Sequence, residues 1–292
     1  MKDHALVLGG GGVAGIAWMT GLLFGLSEKN VNLRPTDLTI GTSAGATLAA
    51  QLGGKVSLKE LFQRMANPSD QTREMTPDPR LLESFQKARS TFHATQDRAE
   101  RTRQIGKWAL ETTTVAESER RKVVAARLPS HAWPENELLI VAVDAQSGET
   151  KAFDRNSQVD LVDAVAASCA VPGIWPAVTI HGRHYIDGGV RSAENADLAK
   201  GYARIVILSP LGTTLPRIGG GGLNEQIEIL QQAGGKSYLV NPDSKSRRAI
   251  GLNPLSPDTR RPAAQAGRKQ GQSIAPDLAA FWESPLVSAT IG

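Results

Sequence analysis

The chain is poor in the residues on which several common protein classes depend. One cysteine, Cys169, among 292 residues excludes an internal disulfide framework and a clustered cysteine metal site. Aromatic side chains make up 5%, too few for a platform on which nucleic-acid bases stack. Strong charge of one sign is also missing. The 33 basic and 29 acidic residues leave +4, which marks no nucleic-acid partner, though it suits an anionic membrane surface. An unbroken apolar run is lacking as well. From Ala5 to Leu26 no residue is charged, in the manner of a secretion signal or a membrane span, but Gly9, Gly10, Gly11, Gly12 and Gly15 interrupt it. Each costs a helix about 1 kcal/mol relative to alanine. The stretch therefore parses as a short buried strand, Ala5 to Leu8, a glycine loop, and a buried helix from Ala14 to Ser27. With no convincing signal or transmembrane segment, the expected location is cytoplasmic, with peripheral membrane contact left open.

What is present describes a globular protein, with 40% hydrophobic and 21% charged residues. A second short strand, Leu38 to Ile40, and a helix running to Leu52 complete a βαβα order, which implies parallel strands and right-handed crossovers. Between residues 57 and 131 strand-like runs vanish and charge rises, as in a helical insert. Strand texture returns at Leu138 to Val143 and at Thr150 to Phe153, a hairpin across Gln146 to Glu149. It recurs at Val178 to Ile180, His184 to Tyr185, Arg204 to Leu208 and Ser237 to Val240, with an amphipathic helix over Val159 to Ser168. Gly219 to Gly222 reads as a loop tip, and Pro242 to Pro262 as irregular surface. The expected organisation is one α/β domain over 1–292, its core in 1–56 and 132–292.

Two glycine motifs carry possible chemistry. Gly41-Thr42-Ser43-Ala44-Gly45 is a G-x-S-x-G pattern between a strand and a helix, the setting of a nucleophile elbow. Small neighbours allow the sharp turn, and the helix N-terminus favours developing negative charge. Gly10, Gly12 and Gly15 fit G-x-G-x-x-G after a strand. As a dinucleotide loop it lacks its acidic partner, since Asp37 precedes the second strand instead of following it. The rival use is an oxyanion hole, where convergent backbone N–H groups need residues without side chains.

A serine nucleophile needs a base. The order Ser, acid, His would call on His181 or His184 with Asp144 or Asp163, but both histidines flank a hairpin turn. Asp187, followed by Gly188 and Gly189 at a strand end, is the other candidate, although Asp-Gly-Gly alone is an ordinary turn.

Taken together, the glycine loop Gly9 to Gly15, the elbow Gly41 to Gly45, the run Ala166 to Pro176 and Asp187-Gly188-Gly189 resemble, in order, the blocks of the patatin-like phospholipases. The resemblance spans about Ala5 to Val190. It implies a three-layer α/β sandwich with a mainly parallel central sheet, helices on both faces and a helical insertion. It implies a Ser43–Asp187 dyad without histidine, an oxyanion hole from Gly10, Gly11 and Gly12, and supporting roles for Gly15, Gly41, Gly45, Gly188 and Gly189. The substrate would be a phospholipid or another lipid ester, with neither metal nor organic cofactor and no nucleic acid. One departure stands out: the basic residue that the family often carries before the last glycine of the first block is here Ala14.

Three rival readings remain: a soluble carboxylesterase or thioesterase with the same dyad, a nucleotide-binding protein, and a non-catalytic lipid-binding relative. In the insert, Arg89, Arg98, Arg101, Arg103, Lys107, Arg120, Arg121 and Lys122 interleave with Glu100, Glu111, Glu117 and Glu119. That texture suits a solvated helical cover, with a membrane-contact surface as the alternative. Cys169 reads as a small core residue, and Trp175 and Pro176 as core or acyl-pocket lining.

Overall fold

Strand β1 (Lys2–Leu8) is buried on both faces from Ala5 onward. Leu6 and Leu8 enter one apolar cluster while Ala5 and Val7 enter another, as the two-residue period of a strand dictates for a sheet covered on both sides. The chain is described by a computed structural model over residues 2–34, 36–212 and 222–283. The loop tip expected at Gly219 to Gly222 thus lies outside the described residues, Gly222 excepted.

After β1 come α1 (Gly12–Ser27), β2 (Leu38–Thr42) and α2 (Ala44–Leu52). Helices α3 (Leu58–Ala66), α4 (Pro79–Ala94), α5 (Arg98–Glu111) and α6 (Glu117–Arg127) follow. The chain then forms β3 (Glu137–Asp144), β4 (Thr150–Phe153), α7 (Leu161–Ser168), β5 (Val178–Ile180), β6 (Arg183–Asp187) and β7 (Tyr202–Leu208). It ends with α8 (Leu223–Gln232), β8 (Lys236–Val240), α9 (Ser244–Ile250) and α10 (Arg260–Glu283).

The strands form one sheet in the order β5-β6-β3-β2-β1-β7-β8, with β4 also paired to β3. Strands β3, β2, β1, β7 and β8 run parallel, β4 and β6 each pair antiparallel with β3, and β5 pairs antiparallel with β6. Register places the chemistry. Thr42 pairs with Val141, and the next residue, Ala142, pairs with Asp187. The end of β2 and the end of β6 therefore flank the same stretch of β3.

Helices α1, α2, α7 and α10 cover one face, where Trp18, Leu48, Val165 and Leu278 share a cluster. On the other face lie α8, through Leu223 and Leu230, and α5, through Ile105 and Ala109. This is the three-layer α/β sandwich that the resemblance implied.

The helices of the 57–131 stretch divide between the two faces. Phe62 of α3 stacks on Phe24 of α1 at 4.8 Å between ring centroids, while α5 packs on the opposite side. Phe85 and Phe92 of α4 rest on Trp108 of α5 at 6.5 and 5.7 Å. Many charges of these helices pair within their own helix, as in Lys87–Glu83, Arg103–Glu100 and Lys122–Glu119.

The stretch 242–262 is not irregular as its prolines suggested. It holds α9, whose N-terminus is capped by the Asp243 carboxylate accepting the Ser246 N–H at 2.6 Å, and the start of α10. Helix α10 escapes a hydrophobicity reading because its buried face is built largely of small residues, Ala263, Ala264, Gly267, Gly271 and Ala275. They let it lie directly on α1, so that a Cβ at Gly267 would fall on the carbonyl oxygen of Trp18. Among the described residues no helix is long and apolar enough to cross a membrane.

Candidate active site

Strand β2 ends in the tightest bend of the site. Ser43 has φ 54° and ψ −113°, a backbone conformation that L-residues rarely adopt, and α2 begins at the next residue. The flanking glycines make the bend possible. A Cβ at Gly41 would come within 2.6 Å of Ala46 Cα, and one at Gly45 would fall on the carbonyl oxygen of Leu8. Three bonds hold the bend from behind. The Ser43 N–H donates to Ser168 Oγ at 2.9 Å, and the Ser168 hydroxyl donates to the Val141 carbonyl at 2.6 Å. The Cys169 thiol donates to the Ser43 carbonyl at 3.2 Å. Burial pushes that thiol upward in pKa, so Cys169 is a packed partner of the elbow, as the sequence suggested.

Asp187 closes β6 and is 3% exposed. Its N–H donates to the Ala170 carbonyl at 3.0 Å, and its Oδ1 accepts the Gly189 N–H at 2.7 Å. Ser43 and Asp187 both stand in the wall of one cavity. Burial pushes the acid up to about 7, against the downward pull of the Ser43 side chain and the Gly189 N–H. Behind it the chain turns at Gly188, where a Cβ would fall on the Val141 carbonyl oxygen.

Asn195, which the sequence reading passed over, locks this turn to the elbow strand. Left-handed at φ 54°, its amide donates to Thr42 Oγ1 at 3.0 Å and to the Ser192 carbonyl at 2.7 Å. Ser168 was likewise missed as an individual, although it lies in the run Ala166 to Pro176. A serine flanked by alanine and cysteine at a helix end was the available signal.

The glycine loop lies beside the serine, with the Cβ position of Gly10 3.6 Å from Ser43 Cβ. Here one expectation is corrected. The Gly10 N–H donates to the Ala193 carbonyl at 2.8 Å and is not free for an oxyanion. Gly11 and Gly12 have N–H groups without an acceptor among the described residues. Gly12 sits at φ +61°, and a Cβ there would be 2.6 Å from the Pro254 carbonyl oxygen. Gly15 serves the loop by donating its N–H to the Gly11 carbonyl at 2.8 Å.

A cavity of 140 Å³ opens on these groups, with Ser43, Asp187, Gly11 and Gly12 in its wall and Phe85 and Leu211 among its apolar lining. A tighter one of 20 Å³ shares Ser43 and Gly12 but is lined by Trp175, Met75, Arg120 and Arg127. Arg120, which reads in the sequence as part of a solvated charge run, is in fact buried.

The other candidates lie elsewhere. Asp144 accepts the N–H groups of Gln146 and Ser147, and Asp163 pairs with Arg121. His184 faces Thr179 within the β5–β6 hairpin, and His181 occupies its turn. The Asp37 carboxylate accepts the N–H groups of Asp3 and His4 at the opposite end of β1 from the glycine loop. A ribose contact from Asp37 is thereby excluded.

The fold is an α/β sandwich with a serine at the strained turn from the second strand into its helix. The chain belongs to the patatin-like phospholipase family, whose model matches residues 6–200. That membership makes it, in general terms, a lipid acyl hydrolase. Among solved structures, VipD from Legionella pneumophila is similar at 12% identity and a TM-score of 0.44, over 94% of this chain and 67% of VipD. The type III effector protein ExoU is similar at 18% identity and a TM-score of 0.38, over 93% of this chain and 53% of ExoU, so the chain spans about half of that protein's length. No curated protein matches the sequence.

Proposed function

We propose that the protein is a serine lipid acyl hydrolase of phospholipase A type, with Ser43 as nucleophile and Asp187 as its base. What carries this reading is that the ends of β2 and β6 bring Ser43 and the buried Asp187 carboxyl into one cavity wall, where burial pushes the acid up to about 7. An ordinary aspartate near 3.9 is too weak a base at neutral pH, and a value close to working pH suits proton transfer.

In the first half-reaction the Ser43 proton passes to Asp187 as Oγ attacks the acyl carbonyl. The N–H groups of Gly11 and Gly12 hold the oxyanion of the tetrahedral intermediate. One such donor typically contributes about 3–4 kcal/mol to the transition state. The C–O bond to the alcohol breaks, the alcohol leaves with the proton from Asp187, and the acyl group stays on Ser43. Water then gives a proton to Asp187 and attacks the acyl-enzyme. Ser43 recovers its proton and the fatty acid departs.

Turnover of a short p-nitrophenyl ester and of mixed phospholipid vesicles by wild type, Ser43→Ala and Asp187→Asn tests the assignment. Fatty acid is released by wild type, and both folded variants lose nearly all activity. Full activity in Asp187→Asn would refute the dyad. A strong preference for the soluble ester over vesicles would favour the carboxylesterase reading over the lipase.

A further inference from the structure

Glu74, between α3 and α4, is buried among three arginines. Arg127 grips it through two bonds, at 2.6 and 3.0 Å, and Arg120 and Arg260 each add one at 3.1 Å. Burial pushes the Glu74 carboxyl up, but the three guanidiniums, Arg127 foremost, outweigh it and keep the group ionised. Three buried cations facing one carboxylate leave a surplus of positive charge, which costs free energy unless an anion answers it. Among the described residues Glu74 is the only carboxylate paired with them.

The surplus is most open at Arg120. It is 6% exposed, its guanidinium lies 3.9 Å above the Trp175 ring, and one bond joins it to Glu74. Its Nε–H is buried with no partner among the described residues. Arg120 also lines the tight cavity that has Ser43 and Gly12 in its wall. The volume there, 20 Å³, admits an oxygen-sized group or two and not a whole headgroup. Meanwhile the glycine loop carries Ala14, which offers no charge.

We propose that Arg120 is the seat for a phosphate oxygen of the substrate, placing a lipid headgroup phosphate beside the scissile ester, so that α6 supplies the anion recognition the glycine loop lacks. The proposal rests on Ser43 as the nucleophile. Glu74, itself held by Arg127, acts as a positioning residue that keeps the Arg120 guanidinium over Trp175.

The test compares kcat/KM for 1-palmitoyl lysophosphatidic acid and for the neutral 1-palmitoylglycerol in wild type, Arg120→Gln and Arg120→Lys. Alongside it, binding of hexadecyl phosphate, hexadecanol and inorganic phosphate is followed by tryptophan fluorescence. Wild type prefers the anionic ester and the alkyl phosphate, and Arg120→Gln lowers both preferences about tenfold or more, as expected for a charge-assisted hydrogen bond. Arg120→Lys retains part of them. Turnover with no Arg120-dependent preference overturns the seat and leaves the dyad standing. Arg120-dependent phosphate binding without turnover of either ester leaves the seat standing and overturns the dyad. Inorganic phosphate as effective as hexadecyl phosphate overturns the headgroup assignment. Should Arg120→Gln fail to fold, equal binding of hexadecyl phosphate and hexadecanol by wild type overturns the proposal by itself.

Discussion

The hydroxyl of Ser168 accepts the amide proton of Ser43 at 2.9 Å and donates its own to the carbonyl of Val141 at 2.6 Å. One side chain at the end of α7 thus ties the elbow to the neighbouring strand. Replacing it with alanine strands a buried N–H and a buried carbonyl, each at about 1–3 kcal/mol. Ser168→Ala is expected to lower stability by about 2 kcal/mol or more and to reduce kcat about tenfold, with KM little changed. Denaturant melts and steady-state kinetics read the two effects separately.

The raised pKa of Asp187 fixes a pH dependence. Activity that requires the ionised carboxylate rises with pH along an acid limb centred at about 7. A pH profile of kcat/KM on a soluble ester measures that midpoint.

Stability runs the other way. The native state keeps the Asp187 proton up to about 7, whereas the unfolded chain releases it near 3.9. Between those values the native state binds more protons, so this group's contribution to stability falls as pH rises. Asp187→Asn removes that penalty. At pH 8 the inactive variant is expected to exceed wild type by up to about 4 kcal/mol, and at pH 4 by little. Denaturant unfolding at the two pH values checks the sign.

Strain at the elbow gives a third comparison. Ser43→Ala keeps a Cβ at φ 54°, while Ser43→Gly removes the conflict. The glycine variant is expected to be about 1 kcal/mol more stable than the alanine variant, with both inactive. At Gly45, by contrast, any Cβ meets the Leu8 carbonyl, so Gly45→Ala is expected to cost about 3 kcal/mol or more and to disturb the elbow. Thermal melts of the three variants rank them.

The elbow and the Asp-Gly-Gly turn are legible in the sequence because close backbone approach demands glycine, and glycine at fixed spacing is visible. The glycine loop is legible in place but not in detail. Residue type does not encode which way a peptide N–H points, and Gly10 turns its own toward Ala193. Helix α10 was hidden for a different reason, since contact with α1 selects smallness over hydrophobicity along its buried face. Arg120 sits in a stretch of alternating charge that suits a solvated helix, and only the fold brings Glu74 and Trp175 to it. The roles of Ser168 and Asn195 depend on strand register and loop closure, which local sequence does not specify.

The most direct test of the proposal that Ser43 is the nucleophile is covalent capture. The protein is treated with an alkyl fluorophosphonate, and intact mass and peptide mapping locate the adduct. One phosphonyl group on the peptide containing Ser43, absent in Ser43→Ala and formed far more slowly in Asp187→Asn, is the predicted result. An adduct on another residue, or equal labelling of Ser43→Ala, would contradict it.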